Sequence, residues 1–287
     1  MITTHLTNEK VENKKQNKMK VKKSTSEIYQ LLKHPDIPPF CFLFVGHWLK
    51  GNLGQDRKDV GMLIKTFSTV FKYLPTDKRP GLILKTSHAG FSVIDREATR
   101  KKIEAITKGM DDVPPIYLLH GDLKDTEMAE LYNHNKVKAM VSFTKGEGYG
   151  RPLAEFATTG KPIMVSNWSG HLDFLPKEHT ILLDGQLTSV DKSASDKFLL
   201  PESKWFTVNY SDAANKLYQL YNDYDNFVKK SAGLKSNILN NFTLDKMTDV
   251  LGTMLDKYVK NQPIQKPFNL PKLNPQKEVK LPKLNKL

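Results

Sequence analysis

The sequence predicts an α/β protein built on a doubly wound, mostly parallel sheet, with C-terminal helices and disordered basic tails. Three observations predict it. Short apolar runs of strand length alternate with longer segments whose apolar residues recur at helical spacing. The first run, FCFLFVG at 40–46, is continuously apolar, as a strand buried on both faces of a parallel sheet must be. The fourth run opens into a glycine-rich turn that leads straight into a helix, where such sheets bind ligands.

Residues 1 to about 23 are rich in Lys, Asn and Thr without apolar period, so they are expected to be disordered. STSEIYQLLK at 24–33 has a capping Ser or Thr and places Ile28, Leu31 and Leu32 at helical spacing; the prolines Pro35, Pro38 and Pro39 then stop the helix. After the strand at 40–46 comes a polar loop, followed by a helix over 59–73 with Val60, Leu63, Ile64, Phe67, Val70 and Phe71 on its apolar face. The pattern repeats as a strand at 81–86 and a charged helix at 96–108. It repeats again as a strand at 115–119 and a helix at 125–134 with Met128, Leu131 and Tyr132 on one face. A strand at 137–143, a turn at 144–150, a helix at 151–159 and strands at 161–165 and 180–183 follow. Beyond Asp184 the chain turns polar, with an extended segment at 201–208 and helices over 211–240 and 243–259, for which Ser211 and Thr243 are the candidate caps. The end of the chain holds five prolines and two copies of Leu-Pro-Lys-Leu-Asn, starting at Leu270 and Leu281, which suit a docking motif or an extended arm. The expected organisation is a basic segment with a short helix at 1–36, a folded domain at 37–260 and a Pro/Lys-rich tail at 261–287.

With 287 residues, 39% of them hydrophobic, the chain can bury a sizeable core. Its single cysteine, Cys41, lies in an apolar run; a buried thiol in a reducing compartment is the expectation, and an intramolecular disulfide is excluded. No apolar run is long enough to span a bilayer and the first residues lack a secretion signal, so a soluble, cytoplasmic protein is expected. The net charge of +13 is uneven: Lys and Arg outnumber Asp and Glu eight to four in 1–36 and six to one in 261–287. The two ends suit nucleic acid, anionic lipid or an acidic partner, and equally a solvated, solubilising role.

The stretch most informative about function is KAMVSFTKGEGYGRPLAEFATTGKPIMV at 138–165. Gly146, Gly148 and Gly150 let backbone approach a ligand, and Pro152 suits the first helical turn. Free N–H groups there, with Lys145 and Arg151 beside them, form a site for a phosphate or diphosphate. Glu147 and Glu155 flank that site; since a carboxylate only accepts hydrogen bonds, they are either solvated helix-face residues or partners for a ligand that also offers hydroxyls. A sugar nucleotide offers both.

Glu147, seven intervening residues, Glu155, and then Gly160-Lys161-Pro162-Ile163 resemble the donor site of retaining GT-B glycosyltransferases of group 1, over about 40–259. The resemblance implies a Rossmann-like, C-terminal GT-B half whose co-substrate is a nucleotide-diphosphate sugar, with no metal or other cofactor. It implies that Glu147 contacts the donor sugar, Gly148, Tyr149, Gly150 and Arg151 hold the diphosphate, and Glu155 binds the ribose. Gly46 matches the glycine turn after the first strand; His47 stands where an arginine is common; Arg57 or Lys58 is expected to reach the diphosphate. Lys85 is a further phosphate candidate, and Gly121 and Leu123, within His120-Gly121-Asp122-Leu123, match the base-binding loop. The segment at 167–173 is expected beside the sugar pocket, with Trp168 packing rather than stacking on ligand. A full GT-B enzyme has an N-terminal acceptor domain, which the residues before the first strand are too few to build, so the expectation is that a protein partner or oligomer, or a compact, reduced architecture, supplies the acceptor side, or that the chain binds a donor without turning it over.

The alternative is a non-catalytic nucleic-acid-associated or assembly protein that uses its basic tails on the same fold. A dinucleotide-dependent oxidoreductase is disfavoured because no G-x-G-x-x-G follows the first strand.

Overall fold

The computed structural model describes residues 26–88 and 90–259. The expected tails at 1–23 and 261–287, with both Leu-Pro-Lys-Leu-Asn copies, lie outside the described residues. The chain divides after Thr243 into two compact units.

In the first unit six strands form one sheet: β1 (Cys41–His47), β2 (Gly81–Ser87), β3 (Ile116–Leu119), β4 (Val137–Ser142), β5 (Ile163–Ser166) and β6 (Ile181–Leu183). Their order is β3-β2-β1-β4-β5-β6 and every neighbouring pair is parallel. The chain therefore winds outward from β1 to β3, crosses back over β1, and winds outward again through β4. That reversal leaves a crevice beyond the carboxyl ends of β1 and β4, where doubly wound sheets take their ligands.

Side chains alternate across β1, which explains why the whole run had to be apolar. Phe42 and Phe44 enter the core under α2 (Val60–Phe71), α3 (Val93–Thr107) and α6 (Tyr210–Asn222). Cys41 and Leu43 enter the opposite core, under α1 (Glu27–Leu32), α4 (Asp125–Asn133), α5 (Arg151–Ala157) and α7 (Tyr224–Asn241). Cys41 is fully buried with its thiol donating to the Pro38 carbonyl at 3.3 Å, and burial pushes its pKa up to about 12, so it is a packing residue and not a nucleophile.

Three features differ from the expectation. The polar stretch after Asp184 contains β7 (Gly185–Ser189), paired antiparallel with β8 (Lys204–Val208), so the expected extended segment is half of a two-stranded ribbon. β7 is exposed at four of five positions and thus has no apolar pattern to reveal it. The helix expected over 211–240 is two helices, broken at Asp223, whose backbone leaves the helical region at φ −120° and ψ 37°. The cap of α6 is Asn209, which accepts from the Ser211 and Asp212 N–H groups, so Ser211 is not the cap. In the second unit α8 (Leu244–Tyr258) buries none of its residues. No described helix is long and apolar enough to cross a membrane.

Candidate functional site

At the switch point lies a cleft of about 640 Å³. Of the residues singled out in the sequence, Gly46, His47, Arg57, Lys58, Lys85, Leu123, Arg151 and Glu155 line it. They come from the ends of β1 and β2, the loops before α2 and α4, and the first turns of α5, so only the fold makes them neighbours. Gly121, Glu147, Gly148, Tyr149 and Gly150 are not part of this lining, although Gly121 and Glu147 touch residues that are.

The turn before α5 is built around two glycines. Gly150 precedes the helix with φ 91°, and a side chain there would also press on His171 and Leu153 at 3.3 Å. Gly170 comes so close to the turn that a Cβ would lie 2.0 Å from the Gly148 carbonyl oxygen. Its neighbour Ser169 clamps Glu147: the hydroxyl accepts from the Glu147 N–H at 3.0 Å and donates to the Glu147 carbonyl at 2.7 Å. The 167–173 segment thus buttresses the turn at Glu147 and Gly148. Trp168 packs flat on Phe206, with ring centres 6.2 Å apart, as expected of a packing residue. His171 is buried and donates from Nε2 to the Ser166 carbonyl at 2.8 Å, leaving Nδ1 without a partner; burial lowers its pKa and keeps it neutral.

Glu147 does not project freely. Its carboxylate pairs with Lys58 and lies 3.4 Å from Arg57 Nη1, and its side chain is only 9% exposed. Burial pushes the Glu147 pKa up, but Lys58 and then Arg57 outweigh it, so the carboxyl stays below its ordinary value and ionised. Burial lowers Lys58, opposed by Glu147. Arg57 also donates to the Gly146 carbonyl at 2.8 Å, tying the cationic loop to the glycine turn.

Lys145 corrects the sequence reading. It adds no charge beside the turn, because its side chain is fully buried in the opposite direction, 3.1 Å from Asp59 Oδ2 and 2.9 Å from Thr207 Oγ1. Tyr210 donates to the same Asp59 oxygen at 2.7 Å. Asp59 itself sits at φ 52°, a strained conformation for a non-glycine residue that places the pair against the start of α2. α5 has only seven residues, and Arg57, Lys58, Lys85 and Arg151 bring side-chain positive charge to the cleft lining.

At the other end of the cleft, Lys85 donates to the Gly121 carbonyl at 2.6 Å; burial lowers its pKa, opposed by Asp122. His47 Nδ1 lies 3.1 Å from Ser87 Oγ, a strand-end contact that leaves its other edge on the wall. Phe91 and Tyr132 also line the cleft and were missed by sequence reasoning. Tyr132 had the right signal, a phenol on an apolar helical face whose hydroxyl needs a buried partner. Among the described residues no three His, Cys, Asp or Glu side chains converge as a metal site requires.

No protein-family model matches this chain, and neither does any curated protein. Solved structures do. The C-terminal domain of a glycosyl transferase group 1 family protein (LpcC) from Francisella tularensis aligns with TM-score 0.51 and 14% identity, over 77% of this chain and 95% of that domain. A glycosyltransferase from Rickettsia africae aligns with TM-score 0.54 and 14% identity, over 82% of this chain and 52% of its own. HepE from Anabaena, solved with UDP-glucose, aligns with TM-score 0.52 and 12% identity, over 81% of this chain and 54% of its own. This chain thus spans about half the length of the latter two. Its fold is that of the C-terminal domain of group 1, GT-B glycosyltransferases.

Proposed function

We propose that the cleft binds a nucleotide-diphosphate sugar and that the chain is the donor side of a glycosyltransferase that transfers the sugar with retention of configuration. The observation that carries this reading is the composition of one cleft at the switch point: Arg57, Lys58 and Arg151 supply positive charge, while Glu155 on the wall and Glu147 behind the cations supply acceptors for hydroxyls. A ligand with a doubly charged linker between two polyols fits that arrangement. The HepE structure, with UDP-glucose in a protein of the same fold, supports it.

In this reading Arg57 and Lys58 stabilise charge that grows on the leaving diphosphate, preorganised in a partly buried site where such help is strongest. Once the diphosphate draws Lys58 and Arg57 off its carboxylate, Glu147 orients the donor sugar, and Glu155 orients the ribose. Leu123 and the Gly121 backbone flank the base. The acceptor attacks the face from which the diphosphate departs, so configuration is kept.

The test is calorimetric titration with UDP, GDP, ADP and dTDP and their hexose conjugates. One nucleotide should bind saturably, more weakly in Glu155→Ala, while Glu147→Ala should retain nucleotide binding and lose transfer. No saturable binding of any nucleotide, or full transfer by Glu147→Ala, would overturn the reading.

A further inference from the structure

Glu155 meets two different partners. Its Oε2 accepts from the Tyr132 hydroxyl at 3.0 Å, and its Oε1 lies 3.1 Å from Arg151 Nε. The partners differ in how firmly they are held. Tyr132 is 3% exposed, is edge-on to Phe156 with ring centres 5.7 Å apart, and sits near the end of α4. That helix end is itself fastened: Lys161 Nζ donates to the carbonyls of Tyr132 and His134 at 2.8 Å and of Val137 at 2.7 Å. The Arg151 side chain, by contrast, is 82% exposed, so its pairing with Oε1 is screened and readily exchanged.

A carboxylate held at one oxygen by a buried donor and at the other by a solvated one has a defined orientation and one oxygen on offer. We propose that Tyr132 is a positioning residue that locks Glu155 so that Oε1 faces the cleft as the acceptor for a ribose hydroxyl, making Tyr132 a determinant of selectivity for ribonucleotide over deoxyribonucleotide donors. The inference rests on the donor-site reading above. Displaced from Oε1 by the sugar, Arg151 is free to turn to the diphosphate. Burial and the adjacent Glu155 raise the pKa of the Tyr132 phenol, so it remains a donor across the working pH range. Without the phenol, Glu155 regains rotation about its terminal bond, and the entropy of fixing it must be met on ligand binding.

The experiment compares UDP, GDP and ADP with their 2′-deoxy and 3′-deoxy counterparts by calorimetry, in the wild type, Tyr132→Phe and Glu155→Ala. A hydrogen bond to a carboxylate implies that the wild type prefers one ribonucleotide over a deoxy form by about tenfold or more. In Tyr132→Phe that ratio should shrink severalfold, with the deoxy form bound as before; in Glu155→Ala it should approach one. Loss of packing alone would weaken ribo and deoxy forms alike and leave the ratio unchanged, which would overturn the proposal. Glu155→Asp, which draws the carboxylate back from Tyr132 without touching the core, should shrink the ratio in the same way. Binding without any ribose preference would overturn the role of Glu155 and the proposal with it. If no nucleotide binds at all, the donor-site reading fails first.

Discussion

Replacing Asp59 by Ala should destabilise the first unit more than any change on the cleft wall. Asp59 and Lys145 are both fully buried, and removing the carboxylate leaves the ammonium with only Thr207 Oγ1 at 2.9 Å and the Trp205 ring at 5.6 Å. Breaking a buried pair from one side costs about 3–5 kcal/mol, because the surviving charge keeps its desolvation penalty and loses its partner. The Tyr210 hydroxyl loses its acceptor as well. At about 2–4 °C per kcal/mol for a unit of this size, the melting temperature should fall by roughly 6–20 °C. The assay is thermal unfolding followed by circular dichroism, with urea midpoints as a check that the slope is unchanged. The double variant Asp59→Ala with Lys145→Met should recover part of the loss, since it no longer buries an unpaired charge but still leaves the Tyr210 hydroxyl without its acceptor. The pair also matters for the site: Lys145 N–H donates to the Arg57 carbonyl at 2.8 Å, and Lys58 and Glu147 follow these residues closely in sequence. A single variant that melts within 2 °C of the wild type, or a double variant no better than the single one, would refute this account.

Other changes are expected to show the same logic. Glu147→Gln frees Lys58 and Arg57 from their carboxylate and should bind inorganic diphosphate severalfold more tightly than the wild type; unchanged affinity in calorimetry would mean that the pair does not compete with the ligand. Asp56 is 1% exposed, and burial, then the neighbouring Asp59, push its pKa from an ordinary 3.8 up to about 6. The folded state therefore holds that proton more tightly than the unfolded one, and the cost of ionising Asp56 grows as pH rises from 3.8 to about 6. Asp56→Asn, which keeps an acceptor for the Lys58 and Val60 N–H groups, should be more stable than the wild type at pH 7.5 by at most about 3 kcal/mol, the gap closing by about pH 4 in a series of melts. Gly170→Ala drives a methyl group into the Gly148 carbonyl and should weaken nucleotide binding through a displaced turn; wild-type affinity would show that the turn tolerates the shift. Lys161→Met strips three carbonyls of their shared donor and should lower stability by about 2 kcal/mol in urea unfolding.

The sequence by itself determined the order of strands and helices through β6, because a parallel strand buried on both faces must be apolar throughout and the helices between must be amphipathic. It also determined the glycine turn before α5, since Gly150 holds a backbone angle that side chains disfavour. It did not reveal β7, an exposed strand that forms only because β8 lies beside it. Tertiary structure alone decided which charges face the cleft. Lys145 looked like a ligand for an anion and is buried against Asp59, 86 positions away in the chain, while Lys58 holds Glu147 across 89 positions. Tyr132 looked like core and holds Glu155 by its hydroxyl. Local periodicity tells on which side of an element a residue lies. Which charge it meets there depends on loops that bring distant segments together, and that pairing is set by burial and geometry rather than by anything in the neighbouring residues.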